Sequence, residues 1–363
     1  MSFRVSLVRL PLRSAFANSK GTTLARTALI LQLEVRGVEA VSECVTDVVA
    51  SSTGEDNGTS LKVIKGRFAD LLREKVPQPL EFLNLVEGVE GRPMAKAAVE
   101  MLLWDHLGKL RGERLDKALG ETRGYADAGI AIGLGSDRAV LSQARAAMRD
   151  GFKRIKLKVA RNAAYERLKA VRDALPEARL SADANACFSI PRDVPELRRL
   201  DELHLDYIEQ PLGFDDIFGH AKLAKEISTP ICLDESVTTL ARTEEILERE
   251  AASVINVKPG RVGGLSVAVE IARAARKAGA HVWVGGMLET GVGRAFNVAL
   301  ASQKLVDLPG DTSPNSRHFE RDIVENPFKM EKGRVRPNPG AGAGVLLDKK
   351  YLERVTVRTW KVF

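Results

Sequence analysis

The stretch RIKLKVA, residues 154–160, alternates basic and apolar side chains, the period of a β-strand. Ile155, Leu157 and Val159 fall on one face, and Arg154, Lys156 and Lys158 on the other. Taken alone, the second face reads as solvated, because lysine is almost never fully buried without a partner. The rest of the chain changes that reading. Short apolar runs recur downstream: YADAGIAIG, RIKLKVA, ARLSADAN, LDYIEQP, PICLDES, SVINVKPG and HVWVGGM. Their ends fall at Lys158, Asp183, Glu209, Asp234, Lys258 and Gly285, at intervals of 25, 26, 25, 24 and 27 residues. A period of this size, with helix-like sequence between the runs, is the rhythm of a repeated βα unit.

An open doubly wound sheet and a closed barrel both fit alternating strands and helices. In a barrel every strand end opens onto one mouth, whereas an open sheet concentrates function at a switch point. Polar residues at successive strand ends therefore favour the barrel. An eighth strand is expected around QKLVDL, residues 303–308. The predicted fold is α/β, a modified TIM-type (β/α)7-8 barrel over 121–326. An α+β capping domain is expected over 1–120, completed by about 327–363. In the capping part, TALILQLEV (27–35) reads as a strand, PMAKAAVEMLLWDHLGKLRG (93–112) as a helix ending at Gly112, and SSTGEDNGTS (51–60) as a loop.

Composition narrows the class. With 44% hydrophobic and 28% charged residues, the 363-residue chain is ordinary for a soluble globular protein. The net charge of +7 suits a small anionic substrate, and the low aromatic content without basic–aromatic runs argues against nucleic acid. Cys44, Cys187 and Cys232 form no CxxC pair, so neither a disulfide framework nor a zinc site is indicated. Arg4, Arg9, Pro11 and Arg13 interrupt any secretory apolar core, and no run approaches a membrane span. A cytoplasmic protein with no membrane partner is expected.

With YADAGIAIG as strand one, Lys158 ends strand two and Lys258 strand six, opposite it in an eight-membered ring. Asp183, Glu209 and Asp234 end the strands between. Three converging carboxylates repel unless a cation neutralises them. Oxygen ligands without thiol or imidazole select a hard ion, Mg²⁺ first, with Mn²⁺ or Ca²⁺ as alternatives. A cation beside a substrate carboxylate acidifies the neighbouring C–H bond, and a base must then take the proton. Lys158 is placed as that base, Lys156 as the neighbouring charge that keeps it available, and Lys258 as proton donor or charge stabiliser on the opposite side.

Seven stretches, RIKLKVA, SADAN, DYIEQPL, PICLDES, INVKPGRVGG, GGMLETGVGRAFN and LPGDTS, resemble the enolase superfamily. Within it the chain resembles the muconate-lactonizing subgroup, and most closely the o-succinylbenzoate synthase / N-succinylamino acid racemase family. PLRSAFANSKG is similar to that family's mobile capping loop, and MAKAAVEMLLWDHLGK to its last capping-domain helix. The resemblance implies Asp183, Glu209 and Asp234 as metal ligands and Lys158 with Lys258 as the acid–base pair. Arg261 matches an arginine carried where racemase activity accompanies the synthase. Phe16, Ser19 and Gly21 would lie over the substrate. Asn185, Glu235, Gly286, Met287 and Glu289 are the remaining candidates for binding or support. Ala131 stands where many members carry a serine facing the substrate, which bears on substrate preference. A small carboxylate substrate, a homo-oligomer and a Mg²⁺-dependent o-succinylbenzoate synthase follow, with N-succinylamino acid racemase as the alternative.

Other readings fit less well. A mandelate-racemase-like base would be a histidine ending strand seven, where VWVGGM has glycines; His281 starts that strand. His106, His204, His220 and His318 match no strand end and read as structural or surface residues. GGMLETGVG lacks the Asp-x-Asp of a dipeptide epimerase. GLGS (133–136) lacks the third glycine of a dinucleotide fingerprint, and PGAGAG (339–344) is followed by no Gly-Lys-Ser/Thr. A non-catalytic binding protein on the same barrel would be expected to have lost a lysine or a carboxylate, and all five are present.

Overall fold

The computed structural model describes residues 1–18, 21–50, 53–161 and 163–363, with the side chains of 15–18 and 21–23 left aside. Strands β1 (Ser2–Asn18), β2 (Gly21–Val35) and β3 (Val38–Cys44) form an antiparallel sheet, and a strand from the other end of the chain, Thr356–Lys361, pairs with the outer side of β1. The near-continuous apolar run in β2 has a simple cause: both faces are covered. Leu29, Leu31 and Leu33 pack in one core with the helix Pro93–Arg111, while Ala28 and Ile30 join the larger core. That helix ends one residue before Gly112, as the sequence predicts.

The loop expected at 51–60 is shorter. Asp56 caps a helix that begins at Asn57, its Oδ1 accepting from Thr59 N at 2.7 Å while Thr59 Oγ1 accepts from Asp56 N at 3.0 Å. This reciprocal capping box satisfies two helix-terminal donors, so a polar run becomes a helix start.

The expected first barrel strand divides in two. Strand β4 (Ala126–Asp127) pairs with a hairpin from near the C-terminus, and β5 (Gly129–Ile132) begins the barrel. Six parallel strands follow in chain order: β6 (Arg154–Lys158), β7 (Leu180–Asp183), β8 (Ile208–Glu209), β9 (Ile231–Leu233), β10 (Val254–Val257) and β11 (His281–Val284). The hairpin strands are β12 (Met330–Glu331) and β13 (Arg334–Val335).

No eighth strand forms at 303–308, and this corrects the sequence reading. Residues 307–311 instead bridge the gap irregularly. Leu308 N and Asp311 N donate to Val282 O and Val284 O, while Gly310 N donates to Asp127 O and Gly129 N to Gly310 O. Pro309 has no N–H to contribute to a ladder, so the closure cannot be a regular strand.

The face of β6 that reads as solvated points into the barrel. Arg154 is 0% exposed and Lys156 3%, while Ile155 and Leu157 pack outward in the main core. Residue 129, a glycine, leaves room for the guanidinium where it lies: a Cβ there would sit 2.6 Å from Arg154 Nη2. Below the lysines, Arg154 donates to Tyr207 Oη and lies 4.5 Å over the Trp283 ring.

Two buried glutamates seat the N-terminal sheet and its helix on the barrel. Glu43 of β3 accepts from Thr290 N (3.0 Å), Thr290 Oγ1 (2.6 Å) and Gly293 N (3.0 Å), at the start of the helix Gly291–Ala301. Glu100 accepts from Leu265 N and Ser266 N, both at 2.9 Å, where the helix Leu265–Lys277 begins. Each carboxylate satisfies helix-terminal N–H groups and meets the positive end of the helix dipole. Among the described residues, no helix is long and apolar enough to cross a membrane.

Candidate active site

The C-terminal ends of β6 to β10 open onto a cavity of about 350 Å³. Lys158 closes β6, and Lys258 directly follows β10, four places away in the strand order. Both line the cavity, together with Lys156, Asp183, Asp234 and Arg261. Asp183 is the register partner of Lys158 on one side and of Glu209 on the other. Parallel pairing thus brings residues 25 apart in sequence into contact.

Each acid is engaged by basic groups. Lys158 Nζ donates to Asp183 Oδ2 (2.7 Å) and to Asn185 Oδ1 (2.6 Å). Lys258 Nζ donates to Asp234 Oδ2 at 2.8 Å, and Arg261 donates to the other oxygen of that carboxylate. Lys156 Nζ lies 2.8 Å from Glu209 Oε2 and 3.2 Å from Asp311 Oδ2. Glu209 is fully buried and lies behind the cavity lining.

The electrostatics follow from burial and pairing. Burial pushes the Glu209 carboxyl up to about 8, reinforced by repulsion from Asp183 and Asp234. Burial acts on Asp234 in the same direction, but Arg261 and Lys258 outweigh it and hold that group well below the usual carboxylate range. Burial pulls Lys156 down, yet Asp311, Glu209 and Asp183 keep it well above the ordinary lysine range. Lys258 is raised as well, because Asp234 overcomes the cost of burial.

Among the described residues, no three His, Cys, Asp or Glu side chains stand gathered as a ready metal site, and Lys158 and Lys258 pair with Asp183 and Asp234. The donor chemistry nonetheless fits a hard cation. Three oxygen-donor side chains stand at or next to adjacent strand ends, and Glu209 Oε2 is a buried oxygen with no hydrogen-bond partner among the described residues.

Asn185, Glu235, Gly286 and Met287 all line the cavity. Asn185 also donates to Glu235 Oε1 at 3.3 Å. Glu289 does not line it. Its carboxylate turns back to accept from Met287 N (2.7 Å) and Asn297 Nδ2 (2.8 Å), which shapes the loop carrying Met287. Ser19 lies outside the described residues, and so does the side chain of Phe16; Gly21 opens β2.

The sequence reading missed several residues of the cavity wall. Asp311, in LPGDTS, reaches it through the irregular closure; its place after Pro-Gly at an expected strand end was a usable signal. Arg26 and Asp47, paired at 2.7 Å, come from the N-terminal sheet and the segment after it, where no local pattern marks them. His318, read as structural or surface, also lines the cavity. Burial, with Arg294 and Arg317 nearby, pushes its imidazole down to about 3.

Residues 139–351 match the family model "Enolase C-terminal domain-like". Over the whole length, the chain is 40% identical to the N-succinylamino acid racemase of Thermus thermophilus, across 97% of this chain and 95% of that protein. It is 36% identical to the o-succinylbenzoate synthase of Bacillus subtilis, across 96% and 95%. A crystal structure of an enolase-superfamily protein from Listeria innocua superposes with a TM-score of 0.95 at 35% identity, covering 99% of this chain and 98% of that one. The muconate lactonizing enzyme of Pseudomonas fluorescens, at 23% identity and a TM-score of 0.88, shares the fold. The chain therefore belongs to the enolase superfamily of enzymes, in its o-succinylbenzoate synthase / N-succinylamino acid racemase family.

Proposed function

We propose that the protein abstracts the proton α to a substrate carboxylate, as an o-succinylbenzoate synthase dependent on a divalent cation, Mg²⁺ or Mn²⁺. The observation that carries this reading is that Lys158 and Lys258, from strands four apart, line one cavity with Asp183 and Asp234. Asp183, Glu209 and Asp234 would hold the cation. When bound, such a cation would supply positive charge against the negative charge developing on the substrate carboxylate.

Lys158 Nζ, as the neutral amine, takes the α proton from 2-succinyl-6-hydroxy-2,4-cyclohexadiene-1-carboxylate. The electron pair of that C–H bond moves into the enediolate, then returns to form the new ring double bond as the 6-hydroxyl leaves. The same lysine returns its proton to the departing oxygen, so water leaves by syn elimination. Lys258 stabilises charge on the opposite side, and Lys156, paired with Glu209 and Asp311, stays a fixed cation beside Lys158.

Racemisation of N-succinylamino acids is the second reading, favoured by the opposed lysines and by the 40% identity to the Thermus racemase. Lys158 and Lys258 would then serve opposite faces of one α carbon. Assaying both substrates after EDTA treatment and after Mg²⁺ or Mn²⁺ add-back tests the proposal. Turnover of the dehydration substrate only with the cation is expected; full turnover in verified metal-free protein would overturn it.

A further inference from the structure

Asn256 is fully buried on β10, two residues before Lys258 and thus on the same inward face, as Lys156 is to Lys158 on β6. Its Nδ2 donates to Glu209 Oε1 at 3.0 Å, and its backbone carbonyl accepts from Arg261 Nη2 at 3.0 Å. Its own Oδ1 is buried with no hydrogen-bond partner among the described residues. Leaving a buried acceptor unsatisfied is costly, so something must hold the amide in place. Glu209 does so in its ionised form: the flipped amide would set an oxygen against a carboxylate oxygen, and the Nδ2-inward orientation is the one that attracts.

The neighbouring chain is shaped around this contact. A Cβ at Gly285 would sit 2.3 Å from Asn256 Oδ1 and 2.5 Å from Lys258 Cε. A side chain at 285 would therefore push both of these side chains from their present positions. With Oε1 tied to Asn256, the carboxylate plane of Glu209 is set, and Oε2 is the oxygen left to face the positive charge, here Lys156 at 2.8 Å. The other two strand-end acids are braced similarly, Asp183 by the Asn185 N–H at 3.1 Å and Asp234 by Arg261. Since Arg261 is itself held by the Asn256 carbonyl, one residue supports two of the three carboxylates.

We infer that Asn256 is a positioning residue for the cation site: it orients Glu209 so that Oε2 is presented to a divalent metal, while its backbone holds Arg261 against Asp234. The inference rests on the cation-binding reading of Asp183, Glu209 and Asp234. The test is calorimetric titration of MnCl₂ into the metal-stripped, substrate-free protein, comparing wild type, N256L, E209Q and the double variant, with circular dichroism as a check on the fold. N256L keeps the branched shape of the native side chain without its polar atoms but is larger; N256A, which leaves room for a water, serves if leucine is not tolerated. Loss of an orienting partner of this kind weakens metal binding about 10- to 100-fold. That loss is expected in N256L and should nearly vanish in the E209Q background, because the amide acts through Glu209. A general structural defect would weaken binding by the same factor in both backgrounds, and that result overturns the inference. Wild-type affinity in N256L overturns it too, while leaving the cation reading intact if E209Q is weakened. No Mn²⁺ binding by the wild type would sink both.

Discussion

Lys156 Nζ lies 3.2 Å from Asp311 Oδ2, across a junction between β6 and the irregular segment that closes the barrel. The contact joins residues 155 positions apart and is reinforced by Arg154, whose Nη2 lies 2.5 Å from Asp311 Oδ1. One acid thus serves two buried cations. Asp311→Asn should leave them short of counter-charge and cost about 3 kcal/mol, the range for breaking a buried pair. Urea unfolding at pH 7 measures it; an unchanged midpoint would mean that Glu209 and Asp183 suffice for Lys156.

The lysine pair sets the sharpest test of the chemistry. With an N-succinylamino acid, Lys158→Ala and Lys258→Ala should each abolish racemisation, because one lysine deprotonates and the other reprotonates each enantiomer. Exchange of the α proton in D₂O should persist mainly for the enantiomer facing the remaining lysine. Proton NMR on separate L and D substrates follows both. Near-wild-type racemisation by either folded variant would refute the two-base geometry.

Asp183→Asn should weaken Mn²⁺ binding and activity while leaving the fold intact, since strand ends at the barrel mouth contribute little to the packed core. Calorimetry paired with circular dichroism separates the two effects. Unaltered affinity would remove Asp183 from the ligand set.

Glu100 is absent from the cavity wall, so Glu100→Ala tests the seating of the helix alone. It would strip two backbone N–H groups and the Ser266 hydroxyl of their acceptor at a buried helix start. A loss of roughly 2–4 kcal/mol is expected, several unsatisfied donors being worth more than one. Guanidinium unfolding would register it as a lower midpoint, with KM unchanged below the transition.

Glu43 gives a pH signature. Burial raises its carboxyl from 4.5 to about 7, against opposing effects of Thr290 and Arg26, with Glu289 adding to the rise. Between those values the folded protein holds a proton that the unfolded chain has lost, so stability falls as pH rises and levels off above about 7. Glu43→Gln removes the titration and keeps one acceptor oxygen. Its stability relative to wild type should improve by about 2–3 kcal/mol between pH 4.5 and 8, at roughly 1.4 kcal/mol per pH unit of displacement. A difference that is flat with pH would refute the buried, proton-holding carboxylate.

What the sequence determined by itself was the repeat. Six strand ends near every 25 residues, five of them carrying a lysine or an acid, implied a barrel with five polar groups around its mouth, and β6 to β11 end within one residue of the marked positions. This is legible because strand periodicity and the one-sided placement of strand ends are local properties. Alternation, however, says only that Arg154, Lys156 and Lys158 share a face; it does not say whether that face meets water or the barrel interior. Closure decided this, because Asp183, Glu209 and Asp311 stand where counter-charges are needed and make burial of Lys156 affordable. Tertiary structure alone likewise brought Arg26, Asp47 and His318 to the cavity and set Asn256 against Glu209. Contacts between elements far apart in sequence leave no period to read: each depends on how whole strands and helices dock, and docking is settled by the packing of the complete chain.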